Sequence, residues 1–131
     1  MLLVRLVISV LCAVGFYASV FMLRKSVLDA QGRLTEPSVV QSPRAKLFGG
    51  VPNAFVGTLY YPALAAVSWA AHSRGAFTVA FAACVAAAAT SLFLAYSLLF
   101  VTKRNCVFCF ISHGVNVALV GAVARLLVLA R

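Results

Sequence analysis

Two cysteines, Cys106 and Cys109, have the type and spacing needed for thiol–disulfide chemistry. At positions i and i+3, both thiols lie on one face of a helix. Asn105 is a residue type that commonly caps helix N-termini, so both sulfurs would lie in the first turn beside unpaired backbone N–H groups. The positive end of the helix dipole favours the thiolate, which is the form that attacks disulfides and quinones. The sequence therefore predicts a redox-active dithiol at the start of the last helix.

Other interpretations of this Cys-x-x-Cys motif are a structural zinc site, a structural disulfide and a pair of inert thiols. Structural zinc normally takes four ligands. The motif supplies two and His113 a third, whereas Cys12 and Cys84 lie too deep in apolar segments to complete the set and are predicted to be packing residues. A disulfide that closes so short a loop gains little from chain entropy. We therefore expect no metal and interpret the motif as a redox pair, with inert thiols as the alternative.

The composition identifies the elements that must position these thiols. Of the 131 residues 64% are hydrophobic, and only 11 Lys/Arg and 2 Asp/Glu are charged. A soluble domain of this size cannot bury so much apolar surface. Four apolar runs long enough to span a bilayer predict an all-α, integral membrane four-helix bundle that forms one domain over residues 1–131. The predicted helices are about 2–23, 51–71, 76–102 and 105–130, with a long polar loop at 24–50.

The formal net charge of +9 comes from basic residues scattered at the ends of the apolar runs. This distribution suits lipid headgroups, so the expected partner is the bilayer and not nucleic acid. Seven Lys/Arg fall on the side of the Cys-x-x-Cys motif and four on the other. The positive-inside rule would place the motif in the cytoplasm, whereas disulfide chemistry favours the outer face. The sequence leaves the sidedness open.

Further features bear on packing and on ligand binding. The small residues of the segment 82–91 predict the central packing face of the third helix. The loop 24–50 is either a lid over the helix ends or a solvated linker. Cys109, His113 and Asn116 follow each other at steps of four and three, so they share one face, and such polar stripes usually face protein or a cavity. Asn53 is either a polar residue at the helix end or an amide at the depth of a quinone ring.

These motifs, in this order, resemble the vitamin K epoxide reductase family. The resemblance covers the whole chain: four spans, one long first loop and two short links. Its residues are Cys106-Val107-Phe108-Cys109 with Asn116 seven residues beyond, Ser42-Pro43, Leu47-Phe48-Gly49, Pro52-Asn53 and Gly57.

The resemblance implies a bundle around a pocket for a ubiquinone-, menaquinone- or vitamin K-like ring, in a multi-pass protein of the plasma membrane. Cys106 and Cys109 match the pair that exchanges electrons with the quinone. Cys109 would be nearer the ring, able to form a charge-transfer or covalent adduct that Cys106 resolves. Asn53 matches an amide that binds one quinone oxygen. His113 stands where many relatives carry a tyrosine for the other oxygen, and an imidazole N–H can donate there as well.

One departure from the family pattern changes the expected electron donor. Relatives that oxidise partner proteins carry a second cysteine pair in the first loop, at positions that hold about Leu28 and Glu36 here. This loop contains no cysteine. A thioredoxin-like protein or a small thiol must then reach Cys106 directly. The alternative is a diverged, non-catalytic membrane subunit that keeps the fold.

Overall fold

The structure, a computed structural model, describes residues 1–32, 53–102 and 107–130. Within these ranges the chain forms helices joined by turns. The α-helices are α1 (Leu2–Ala30), α2 (Asn53–Ala70), α3 (Arg74–Tyr96) and α4 (Val107–Leu129), and α3 continues into a π-helical segment, Ser97–Thr102. The predicted all-α class is confirmed. Most of the predicted loop 24–50, together with Lys103, Arg104, Asn105 and Cys106, lies outside the described residues.

Helix α1 extends seven residues beyond Leu23, where the sequence predicted its end. Hydropathy detects the border of the apolar run at Arg24, but it does not detect the end of the helix. Lys25, Leu28 and Ala30 are good helix formers, so nothing in the segment 24–30 breaks the backbone pattern. The helix ends at a turn in which Gly32 has a φ of 68°, a conformation that glycine adopts without a steric penalty.

Helix α3 begins after a capping residue, Ser73, whose side chain accepts a hydrogen bond from the N–H of Ala76 at 3.3 Å. The sequence predicted one regular helix over 76–102. The structure instead widens its last six residues into the π-helical segment. There the Ser97 hydroxyl donates to the carbonyl of Phe93 at 3.0 Å.

The helices pack in the spatial order α2–α1–α4–α3. Extensive contacts join α2 to α1, α1 to α4 and α4 to α3, whereas α2 and α3 contact each other only sparsely. The bundle is therefore tightly packed on three sides and loose along the seam between α2 and α3. The main core contains residues from all four helices: Ile8, Cys12, Tyr61, Leu64, Phe77, Ala80, Cys84, Val115, Leu119, Val123 and Leu126. The prediction that Cys12 and Cys84 are buried packing residues is confirmed.

The outer faces of the helices are as apolar as the core. Leu3, Val79, Leu92 and Val107 are each more than 60% exposed. Three helical stretches are long and apolar enough to cross a membrane: Leu2–Lys25, Arg74–Tyr96 and Val107–Leu129. Helix α2, with 18 residues, is about 27 Å long and carries more polar side chains, so it is not among these three.

The small residues of α3 form only part of the central packing face that the sequence predicted over 82–91, because Cys84 and Ser91 are buried. Ala82, Ala83, Ala86 and Ala89 are exposed, and the contacts of α3 with α2 are few. The small side chains of Ala83 and Ala86 leave space open along the seam. The prediction is confirmed for Cys84 and Ser91 and was wrong for the exposed alanines, because small residues permit a close approach but do not require one.

Candidate functional site

A cavity of about 300 Å³ lies along the loose seam between α2 and α3. All four helices contribute to its wall. The lining residues are Ser19, Met22, Asn53, Ala54, Val56, Gly57, Tyr60, Tyr61, Ala83, Ala86, Ala87, Thr90, Ser91, Ser112 and Asn116. The alanines among these residues all have small side chains that leave space, and the polar lining residues come from all four helices.

A buried hydrogen-bonded network forms the polar part of the wall. The Tyr61 hydroxyl donates to Asn116 Oδ1 at 2.8 Å and lies 2.9 Å from Ser112 Oγ, so the serine donates in that pair. Asn116 Nδ2 donates to Ser91 Oγ at 2.6 Å. These bonds join α2, α4 and α3 through one amide. Because a serine hydroxyl both accepts and donates, the Ser91 proton remains available to a ligand in the cavity.

Tyr61 occupies its position because α1 has no side chain opposite its ring. A Cβ atom at Gly15 would lie 2.5 Å from Tyr61 Cε1 and Cζ, closer than real Cβ contacts allow. Tyr61 itself is 1% exposed. The absent side chain at Gly15 therefore lets the tyrosine reach across the bundle to α4.

We predict that Gly15→Ala displaces Tyr61 and lowers stability by about 1–3 kcal/mol, the usual cost of overpacking. The matched control is Gly114→Ala in α4, where an added Cβ has no neighbour within 4 Å. That variant should keep or slightly raise stability, because alanine has the better helix propensity. Thermal unfolding in detergent measures both variants. Equal melting temperatures would contradict the proposed close approach.

Asn53 is the first residue of α2, is half-buried and lines the cavity. Its side-chain amide therefore belongs to the same wall as Tyr61, Ser91 and Asn116. Of the ligand-binding residues that the sequence predicted, the structure brings Asn53 to the cavity.

Cys109 lies in the first turn of α4 and is buried. Its Sγ is 3.3 Å from Met22 Sδ, and it packs in one small cluster with Met22 and Ala54, both of which line the cavity. Next to it, the Phe108 ring stacks on Phe21 of α1 with a centroid separation of 4.1 Å. The sulfur therefore lies directly behind the cavity wall. The predicted partner thiol, Cys106, is outside the described residues.

His113 lies one helical turn beyond Cys109 and is buried, but it is not among the residues that line the cavity. Its ring meets that of Phe110 edge-on at 6.4 Å. Neither ring nitrogen has a hydrogen-bond partner among the described residues. The structure thus brings Ser112 and Asn116, but not His113, to the wall that contains Asn53.

Sequence reasoning assigned no role to Tyr61, Ser91 or Ser112. A signal for Tyr61 was present, because Asn53, Gly57 and Tyr61 follow each other at steps of four and share one face of α2. Ser91 was treated as one of the packing residues of α3. Its role depends on the neighbour that it faces, which the sequence does not specify.

Comparison with known proteins agrees with this architecture. The chain matches the family model described as the vitamin K epoxide reductase family over residues 6–124. No curated protein sequence matches it. The match covers most of the chain, including α2, α3, most of α1 and α4, and the Cys-x-x-Cys motif. The chain is a membrane protein that belongs to the vitamin K epoxide reductase family.

Proposed function

We propose that this chain is a multi-pass membrane thiol–quinone oxidoreductase of the plasma membrane. In the proposed reaction the thiols of Cys106 and Cys109 become one disulfide, and two electrons and two protons pass to a quinone. The two carbonyl oxygens of the quinone become the hydroxyls of a quinol. Family membership supports membrane redox chemistry in general.

The observation that carries the proposal is the position of the Cys109 sulfur behind a cavity with hydrogen-bonding groups in its wall. Polar side chains are costly within a bilayer and usually face a functional cavity. Here Asn53, Ser91 and Asn116 line such a cavity, and Met22, which also lines it, contacts Cys109. Ligand sites typically combine apolar walls with a few placed polar groups.

The size of the cavity bears on the class of quinone. A volume of about 300 Å³ lies at the lower end of the range for ligand sites, which suits a head group of one or two rings. A polyprenyl tail needs space outside it, and the cavity is partly open where α2 and α3 make few contacts. The expected substrate is therefore a lipid-soluble quinone of the ubiquinone, menaquinone or vitamin K type.

Two donors in the wall suit the two quinone oxygens. We infer that the Asn53 amide binds one oxygen and that the Ser91 hydroxyl, held by Asn116, binds the other. The family resemblance assigned the second oxygen to His113. That assignment requires the imidazole to turn toward the cavity, whereas Ser91 already lines it.

The reaction also needs a reductant for the disulfide. The chain has no cysteine between Cys12 and Cys84, so it has no second pair in the first loop to relay electrons. The proposed electron donor is a thioredoxin-like protein or a small thiol. Exchange with Cys106 would regenerate the dithiol and oxidise the donor.

The test is a single-turnover reaction of the purified, reduced protein with a short-tailed quinone in detergent. Quinol formation is followed by absorbance, and the thiols are trapped with a maleimide and resolved on a gel. We expect one quinol per protein and the loss of two reactive thiols, assigned to Cys106 and Cys109 by mass spectrometry. Quinol formation without the loss of these thiols, or no quinol at all, would refute the proposal.

We predict that Asn53→Ala raises the KM for the quinone up to about tenfold, because it removes one hydrogen bond worth roughly 0.5–1.5 kcal/mol. The control is Thr58→Ala in the same helix, since the Thr58 hydroxyl bonds the Phe55 carbonyl at 2.6 Å and does not line the cavity. Steady-state kinetics with varied quinone should separate the two variants. An unchanged KM in Asn53→Ala would exclude Asn53 as a ligand of the ring.

A further inference from the structure

Met22 separates the cavity from the sulfur of Cys109. The two sulfur atoms are 3.3 Å apart, and the side chains are only 6% and 8% exposed. Met22 and Ala54 line the cavity, whereas Cys109 packs behind them. A ring that reaches Cys109 from the cavity must therefore pass Met22 or Ala54, and the alanine contributes only one methyl group to this layer.

Met22 is the most adaptable side chain in this layer. Methionine is unbranched and has three rotatable bonds, so it changes shape at low cost. Phe108 packs against the same cluster and, by contrast, is fixed by its stacking on Phe21 and a tilted contact with Tyr17. Ala54, the lining residue in the same cluster as Met22, is small, and so are the lining residues Ser19 and Gly57. Motion at this wall is therefore expected to come from the thioether.

We propose that Met22 is a gate between the cavity and Cys109. A quinone ring that enters the cavity displaces the thioether before its edge contacts the sulfur. Met22 thereby selects rings by size and shields the sulfur from other oxidants when the cavity holds no ring. This inference deepens the proposed function and rests on it for the identity of the ring.

The experiment measures the access of thiol reagents to Cys109 and uses no quinone. In the full chain carrying Cys106→Ser, Cys109 is the only thiol in its proteolytic peptide. It is labelled with the small methyl methanethiosulfonate or with the ring-sized N-phenylmaleimide and quantified by mass spectrometry. Met22→Ala should raise the rate with N-phenylmaleimide by about tenfold, which corresponds to a barrier lower by about 1.4 kcal/mol. The rate with the small reagent should change much less.

Two further variants distinguish a gate from general loosening. Met22→Ile keeps the volume but stiffens the side chain at χ1. It should therefore lower the rate at which N-phenylmaleimide labels Cys109 below the rate in the parent with Met22. Ile8→Ala removes a fully buried side chain from the same helix, outside the cavity wall, and should leave Cys109 labelling unchanged. Cys84 serves as a buried reference thiol in every sample.

Three outcomes would overturn the gate: an unchanged rate in Met22→Ala, a faster rate in Met22→Ile, or an Ile8→Ala effect as large as that of Met22→Ala. Failure of the gate and failure of the proposed function give different results. A size-dependent labelling effect without any quinone turnover would refute the proposed function and keep the gate. Quinone turnover together with a Cys109 labelling rate that does not change in Met22→Ala would refute the gate and keep the proposed function.

Discussion

Cys109→Ala is expected to reduce thiol-dependent quinone reduction at least about a hundredfold, because the variant lacks one of the two sulfurs that form the disulfide. No other thiol of the described residues can replace it. Cys12 and Cys84 are buried in the main core and do not line the cavity. The measurement is steady-state quinol formation with a dithiol donor, corrected for the reaction without protein.

The matched control is Cys12→Ala, which removes another buried sulfur that lies outside the cavity wall. It should retain most of the activity, since it changes only the packing of α1 in the core. Comparable activity of Cys109→Ala and the unmodified chain would end the thiol–quinone proposal. Comparable loss in both variants would show that the assay reports the integrity of the bundle and not its redox chemistry.

The sequence predicted the class of the fold because hydropathy alone separates apolar helices from polar connections. Hydropathy placed the start of the polar segment at Arg24, but α1 runs on to Ala30. A helix leaves the apolar zone where its side chains become charged, whereas it ends where the backbone meets a turn such as that at Gly32. The two boundaries coincide only by chance.

The sequence could not predict which face of each helix points into the bundle. In a bilayer the outer and inner faces are equally apolar, so periodicity does not identify the inner face. The polar stripe of α4 illustrates this limit. Asn116 reaches the cavity and His113, three residues earlier, does not. Helical spacing places Tyr61 on the face of Asn53 and Gly57, but the sequence does not indicate its hydrogen-bond partners, which are 51 and 55 residues away along the chain.

Asn116→Leu is expected to lower the free energy of unfolding by about 1–4 kcal/mol, since hydrogen bonds within membrane bundles are worth about 0.6–2 kcal/mol each and a buried group left unpaired costs more. Leucine has the same number and branching of side-chain heavy atoms as asparagine, but it leaves Ser91 and the donor of Tyr61 without their partner. Unfolding in a denaturing detergent measures the loss. The control is Ser9→Ala, which removes the bond from the exposed Trp69 at 2.8 Å and the serine's own bond to the Arg5 carbonyl at 2.9 Å. Ser9→Ala should lower the free energy of unfolding by well under half the loss in Asn116→Leu.

A double-mutant cycle tests whether Asn116 acts through Tyr61. Tyr61→Phe keeps the ring that packs beside Gly15 and removes only the hydroxyl, which lies 2.8 Å from Asn116 Oδ1. Because the two side chains share this bond, the double variant should lose less free energy of unfolding than the two single variants lose in sum, by about 0.5–2 kcal/mol. Strict additivity would mean that the residues stabilise the bundle independently. Since Asn116 also holds Ser91 at the cavity, a coupled network would link the stability of the α2–α3–α4 wall to its ability to bind a ring.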